Sequence, residues 1–93
     1  MEIRLDGKAA LITGGSEGLG KAMATKFADA GADVAILARR VDMLNAARRE
    51  IDAAGPGKVL SYSCDFLDAA ATVDVFAAAE RDLHGVDILV NNA

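Results

Sequence analysis

No tryptophan occurs in the sequence, and the aromatic residues amount to three Phe and one Tyr. That is too few for a base-stacking platform of the kind that grips single-stranded nucleic acid. Cysteine occurs once, as Cys64, so no disulfide can close within the chain, and a reducing compartment is expected. Histidine also occurs once, as His84. A single Cys and a single His so far apart make a poor metal site, and no metal is expected. No apolar run approaches the ~20 residues that a membrane span requires. The opening Met1-Glu2-Ile3-Arg4 lacks the charged-then-apolar pattern of a secretory leader, so a cytoplasmic location is expected. Basic charge is in deficit: 10 Lys and Arg stand against 14 Asp and Glu, for a formal net charge of −4. Nucleic acids and anionic membranes both select basic footprints, so neither is expected as a partner.

What is present is the composition of a folded domain, with 53% hydrophobic and 26% charged residues. A chain of 93 residues is enough for one domain, taken as residues 1–93, and not for two. Two patterns alternate along it. Short runs rich in Val, Ile and Leu are followed by longer stretches with helical spacing. The apolar runs are Ala9–Thr13, Val34–Ala38, Val59–Ser63 and Val86–Val90. The first helical stretch repeats Leu19, Met23, Phe27 and Ala30 and stops at Gly31. The second starts near Asp42, a candidate N-cap, and carries Leu44, Ala47, Ile51 and Ala54 before Gly55-Pro56-Gly57 breaks it. The third is capped by Asp68, carries Val73, Phe76, Ala77 and Leu83, and ends at Gly85. His84 beside that stop is expected to answer the helix dipole. Strand and helix in strict alternation predict an α/β fold with a parallel sheet. Uninterrupted apolar strands predict helices on both faces of it.

The chemistry concentrates in Thr13-Gly14-Gly15-Ser16-Glu17-Gly18-Leu19-Gly20, between the first strand and the first helix. Glycine suits such a turn because the backbone must approach a pyrophosphate closely and the helix must pack tightly on the strand. The N–H groups of the helix N-terminus and the helix dipole then form an anion site. The general dinucleotide fingerprint G-x-G-x-x-G is not met, since Met23 takes its last position when counted from Gly18. The pattern met is T-G-x-x-x-G-x-G. Gly14, Ser16, Glu17, Gly18, Leu19 and Gly20 are therefore the first candidates for cofactor contact, against the plainer reading of an ordinary turn.

The residues after the second strand bear on which nucleotide. Dinucleotide folds usually place a carboxylate there to hold the ribose 2′-hydroxyl. This chain has Ala38 followed by Arg39 and Arg40. A neutral side chain leaves room for a 2′-phosphate, and a guanidinium can grip one with paired hydrogen bonds. NADP is therefore expected over NAD. Glu17 pulls the other way, because a carboxylate facing the same site would weaken it. Arg48 and Arg49, further along, read as solvent-facing.

T-G-x-x-x-G-x-G, the Asp65-Phe66 pair after the third strand and Asn91-Asn92-Ala93 after the fourth follow in order. Taken together they resemble the front half of the short-chain dehydrogenase/reductase family. The resemblance implies a Rossmann-type sheet of strand order 3-2-1-4. It also implies that Asp65 bonds the adenine amino group, that the backbone of Phe66 touches the base, that Asn91 braces neighbouring strands, and that Asn92 with Ala93 lies near the ribose. The family transfers hydride between a nicotinamide and a small carbonyl or alcohol substrate, and is commonly homo-oligomeric. Its Ser and Y-x-x-x-K catalytic residues would follow the N-N-A segment. Tyr62 is the one tyrosine, and Phe66 stands where its Lys would be needed, so no catalytic residue is assigned. The chain is expected to supply cofactor binding and to stop before the catalytic segment. Its last strand is then an uncovered apolar edge prone to self-association. Two alternatives stand beside this reading. One is a nucleotide-binding module without turnover. The other is a methyltransferase-like fold, which predicts an acidic residue after the second strand and is disfavoured by Ala38-Arg39.

Overall fold

Four apolar segments line up side by side because each can bury both of its faces. The computed structural model describes residues 3–92. Its elements in chain order are β1 (Ala9–Thr13), α1 (Gly18–Asp29), β2 (Asp33–Ala38), α2 (Val41–Asp52), β3 (Val59–Ser63), α3 (Ala69–Leu83) and β4 (Ile88–Asn91). The strands form one sheet in the order β3-β2-β1-β4, and every pairing is parallel. Helices α1 and α2 pack on one face, over Ile12, Val34, Ile36 and Val59. Helix α3 covers the other face, over Leu11, Ala35 and Leu37. β1 and β2 are the inner strands, and β1 is buried along its whole length. Among the described residues no helix is long and apolar enough to cross a membrane.

The α2 stripe falls as the spacing predicts, with Leu44, Ala47 and Ile51 buried. The other two helices depart from it. In α1 the face against the sheet is Gly20, Ala24 and Ala28, and Leu19 is 67% exposed. Small residues win that face because they let the helix axis come close to the strands. In α3 the inward residues are Val75, Phe76, Ala79 and Leu83, while Val73 is 67% exposed. Asp68 does cap α3, accepting the Ala71 N–H at 3.0 Å. Asp42 does not cap α2: the N-cap is Arg40, and Asp42 lies within the first turn. There its charge still opposes the helix dipole. His84 is the C-cap of α3, in the left-handed region at φ 59°, with its backbone N–H turned back to the Arg81 carbonyl.

The fourth strand begins later than its apolar run. The Asp87 carboxylate accepts the Ala9 N–H at 2.9 Å, so side-chain bonding precedes the ladder there. β4 is one edge of the sheet, and Leu89 on it is 61% exposed. β3 is the other edge. It is tied to the end of α3 by Tyr62, whose hydroxyl donates to Asp82 Oδ2 at 2.5 Å. Arg81 Nε donates to the other oxygen of Asp82 at 3.3 Å.

Burial, followed by the Asp82 hydrogen bond and charge, pushes the Tyr62 phenol up to about 12. The Tyr62 hydroxyl in turn holds the Asp82 carboxyl below its ordinary value. A phenol that binds its proton more tightly folded than unfolded stabilises the fold in full below its unfolded value of 10.0 and loses that contribution as pH rises to about 12. Tyr62→Phe is therefore expected to remove part of the loss of stability between those limits. Urea unfolding across the alkaline range checks this, and identical pH slopes for the two proteins would contradict it.

Candidate functional site

The carboxyl ends of β1 and β2 open into a cleft of about 880 Å³. Open parallel sheets bind ligands in this position. The floor comes from the turn after β1. Gly14 has φ +69°, a backbone that side chains rarely adopt, and its N–H donates to the Leu37 carbonyl at 2.7 Å. That bond ties the turn to the end of β2. A Cβ at Gly14 would collide with the backbone oxygen of Asn92, and one at Gly20 would collide with the backbone oxygen of Gly14. Turn, helix and the end of β4 therefore meet backbone to backbone. At Gly18, also at positive φ (+59°), a Cβ would meet nothing within 4 Å.

Above this floor lies the N-terminus of α1. Its first N–H groups have no carbonyl behind them by helix geometry. Glu17, the N-cap residue, makes no side-chain cap bond to them, and no acidic residue stands in the first turn. The donors and the helix dipole thus face the cleft, where Ser16, Gly18 and Leu19 line the wall. A diphosphate fits such a donor set.

The second wall comes from the end of β2 and the start of α2. Ala38 is nearly buried and presents no charge. Arg39 and Arg40 line the cleft beyond it, each with most of its side chain in solvent. Arg40 Nη2 lies 3.3 Å from Asp42 Oδ2. Arg39 Nε lies 3.9 Å from Asp65 Oδ1. Glu17 lines the same cleft, so carboxylates stand close to both cations.

The third wall is Phe66, from the loop after β3, and Asn92, from the end of β4. Thr13 places Asn92. The Thr13 hydroxyl oxygen accepts the Asn92 N–H at 2.9 Å, and its proton goes to Asn91 Oδ1 at 3.0 Å. Thr13 is 3% exposed, so these partners replace water.

Nine of the residues singled out by sequence thus share the cleft: Gly14, Ser16, Glu17, Gly18, Leu19, Arg39, Arg40, Phe66 and Asn92. Three described ones do not line it. Gly20 is buried behind the turn. Asp65 stands at the rim beside Arg39, its Oδ1 accepting the Leu67 N–H at 3.0 Å. Asn91 faces a second hollow of about 340 Å³, between β4 and α3, which also meets Phe66 and Phe76. Ala93 lies outside the described residues. Sequence reading missed two residues here. Met43 lines the cleft from the first turn of α2, and its signal was its nearness to Arg39-Arg40. Thr13 appeared only as the first letter of a motif, although its hydroxyl joins β1 to β4.

Comparison with known proteins adds to this geometry. A family model described as short chain dehydrogenase matches residues 8–93. An uncharacterized oxidoreductase of Caenorhabditis elegans is 49% identical over 90 residues, covering 96% of this chain and 29% of that protein. L-sorbose reductase from Gluconobacter frateurii, solved with NADPH and L-sorbose, superposes with a TM-score of 0.91 at 38% identity, over 100% of this chain and 35% of that one. A metagenomic short-chain oxidoreductase solved with NADP gives 0.88 at 40% identity, over 96% of this chain and 40% of that one. The chain spans well under half the length of each of these proteins.

Thr13→Val removes the hydroxyl and keeps the shape. It leaves the Asn92 N–H without its acceptor, which is expected to cost about 1–3 kcal/mol. Denaturant unfolding of the variant measures this, and an unchanged midpoint would show that the bond between β1 and β4 contributes nothing.

Proposed function

Because the chain belongs to the short chain dehydrogenase family, we propose that it is the cofactor-binding portion of an NADP-dependent oxidoreductase acting on a small carbonyl or alcohol. The observation that carries the nucleotide choice is the end of β2, where Ala38 stands in the place of a ribose-binding carboxylate and Arg39 and Arg40 follow into the cleft. Two solved relatives at 38% and 40% identity were captured with NADPH and NADP, which supports the same choice.

Each part of the cleft has a task in this reading. The N-terminus of α1 holds the diphosphate, with Gly14 and Gly20 keeping the backbone close. Arg39 neutralises the 2′-phosphate with its guanidinium fork. Phe66 lies against the base, with Asp65 accepting from its exocyclic amine. Asn92, set by Thr13, lies against the ribose, and Ala93 follows it in the chain. Bound in this way, the dinucleotide supplies the hydride donor or acceptor. The chain's own contribution is binding and orientation. A general acid must reach the reacting oxygen at hydrogen-bond distance, and the Tyr62 hydroxyl is bonded to Asp82 beyond the cleft. That placement favours a second reading, a nucleotide-binding module without turnover by itself.

The exposed Leu89 edge of β4 supports a further part of the proposal, that the chain associates with a second copy or with more of its own protein. Light scattering of the isolated chain is expected to give a mass above that of the monomer, and a monodisperse monomer would count against it.

Titration of nucleotide fluorescence tests the cofactor. NADPH is expected to bind more tightly than NADH. Arg39→Ala should weaken NADPH by about tenfold to a hundredfold, the worth of a charge-assisted phosphate contact, while leaving NADH nearly unchanged. Equal losses for the two nucleotides would remove Arg39 from the 2′-phosphate site.

A further inference from the structure

The two guanidiniums at the cleft rim are held in different ways. Arg40 offers Nη2 to Asp42, so part of its fork is engaged within its own helical turn. Arg39 turns Nε towards Asp65, and among the described residues its terminal nitrogens have no side-chain partner. Those terminal nitrogens are the pair that takes a phosphate in parallel hydrogen bonds.

Asp65 is set in place by the backbone around it. Its Oδ1 accepts the Leu67 N–H at 3.0 Å. Just before it, the Cys64 N–H donates to the Ala38 carbonyl at 2.9 Å, and Ser63 Oγ donates to the Arg39 carbonyl at 3.1 Å. The end of β3 therefore grips the end of β2 at the point where Arg39 leaves it. The carboxylate and the guanidinium are held opposite each other across that grip. Both remain largely in solvent, and an ion pair of that kind is weak enough to exchange.

We infer that Asp65 is the resident counter-charge of Arg39, that a phosphate on the ribose 2′ position must displace it, and that Asp65 thereby limits the preference of the cleft for 2′-phosphorylated nucleotides. The inference rests on the NADP reading above. A nucleotide without the extra phosphate leaves the Arg39–Asp65 pair intact. One with the phosphate must either draw Arg39 away from Asp65 or accept a carboxylate beside its own negative charge. Both routes reduce its affinity and leave that of the plain nucleotide untouched. Asp65 thus has an effect apart from any contact with adenine, because an adenine contact serves both nucleotides alike.

The ratio of NADH to NADPH dissociation constants separates these effects. Asp65→Asn keeps an oxygen acceptor for the Leu67 N–H and for adenine, and removes only the charge. The ratio is expected to rise about threefold to tenfold at low salt, and less at high salt, as befits an exposed pair. Asp65→Ser, whose hydroxyl can also accept the Leu67 N–H, should move the ratio in the same direction and guards against a folding defect in the first variant. In an Arg39→Ala background the same Asp65→Asn change should leave the ratio unmoved. A ratio that falls or stays constant in both single variants overturns the inference, as does an equal rise without Arg39. A protein that shows no preference for NADPH at the outset overturns the NADP reading itself.

Discussion

The Thr13 hydroxyl sits where three stretches of backbone come within touching distance. It accepts from Asn92 at the end of β4 and donates to the Asn91 side chain. Immediately after it, Gly14 lies against the Asn92 carbonyl and Gly20 lies against the Gly14 carbonyl. No side chain can be inserted at either contact without moving backbone. The floor of the cleft is thus fixed by steric contact and hydrogen bonds before any ligand arrives. The N–H groups of α1 inherit their aim from it, because α1 begins at Gly18, four residues beyond Gly14. A binding site built on rigid elements in this way loses little conformational entropy when it is filled.

Much of this was legible because the sheet is parallel and covered on both faces. Each strand shows as an unbroken apolar run, and the alternation with helices leaves few arrangements open. The order β3-β2-β1-β4 agrees with the arrangement implied by the family resemblance. The helix faces were harder. An Ala-rich helix offers several apolar stripes at once, and periodicity favours the one with the largest residues. In α1 the opposite rule held: Gly20, Ala24 and Ala28 face the sheet because close approach needs small residues, and Leu19 is left at the cleft. In α3 the stripe was misread by one position, so Val73 and Ala77 face outward. Asp42 shows a different difficulty. A carboxylate is favourable both at the N-cap and within the first turn, so sequence places it near a helix start without fixing which of the two it occupies.

The candidate site was legible where a residue type has one evident use. Glycines before a helix, arginines after a strand and an aspartate after the next strand each have a narrow chemical meaning. Met43 has none, since a methionine in the first turn of a helix reads as core or surface until the neighbouring loop is placed. Thr13 was hidden differently. Its position at a strand end marks it, but its partners lie nearly eighty residues away in sequence, and only the closed sheet brings them together.

A chain of net charge −4 that holds a polyanionic nucleotide needs an electrostatic account. Long-range attraction does not supply it. At physiological salt the Debye length is about 8 Å, so charges on the far side of the molecule are largely screened at the cleft. What remains is short-range. Helix-terminal N–H groups and a guanidinium fork act at contact distance, where screening is weakest and each donor meets a fixed oxygen. Around them the rim is close to neutral, since Glu17 lines the cleft with Arg39 and Arg40 while Asp42 and Asp65 lie beside the two arginines. The nucleotide is therefore recognised by the shape and direction of donors and not by a pool of positive potential. A site of this kind discriminates through which local pairs must break, and that makes the carboxylates beside the arginines as important to selectivity as the arginines themselves.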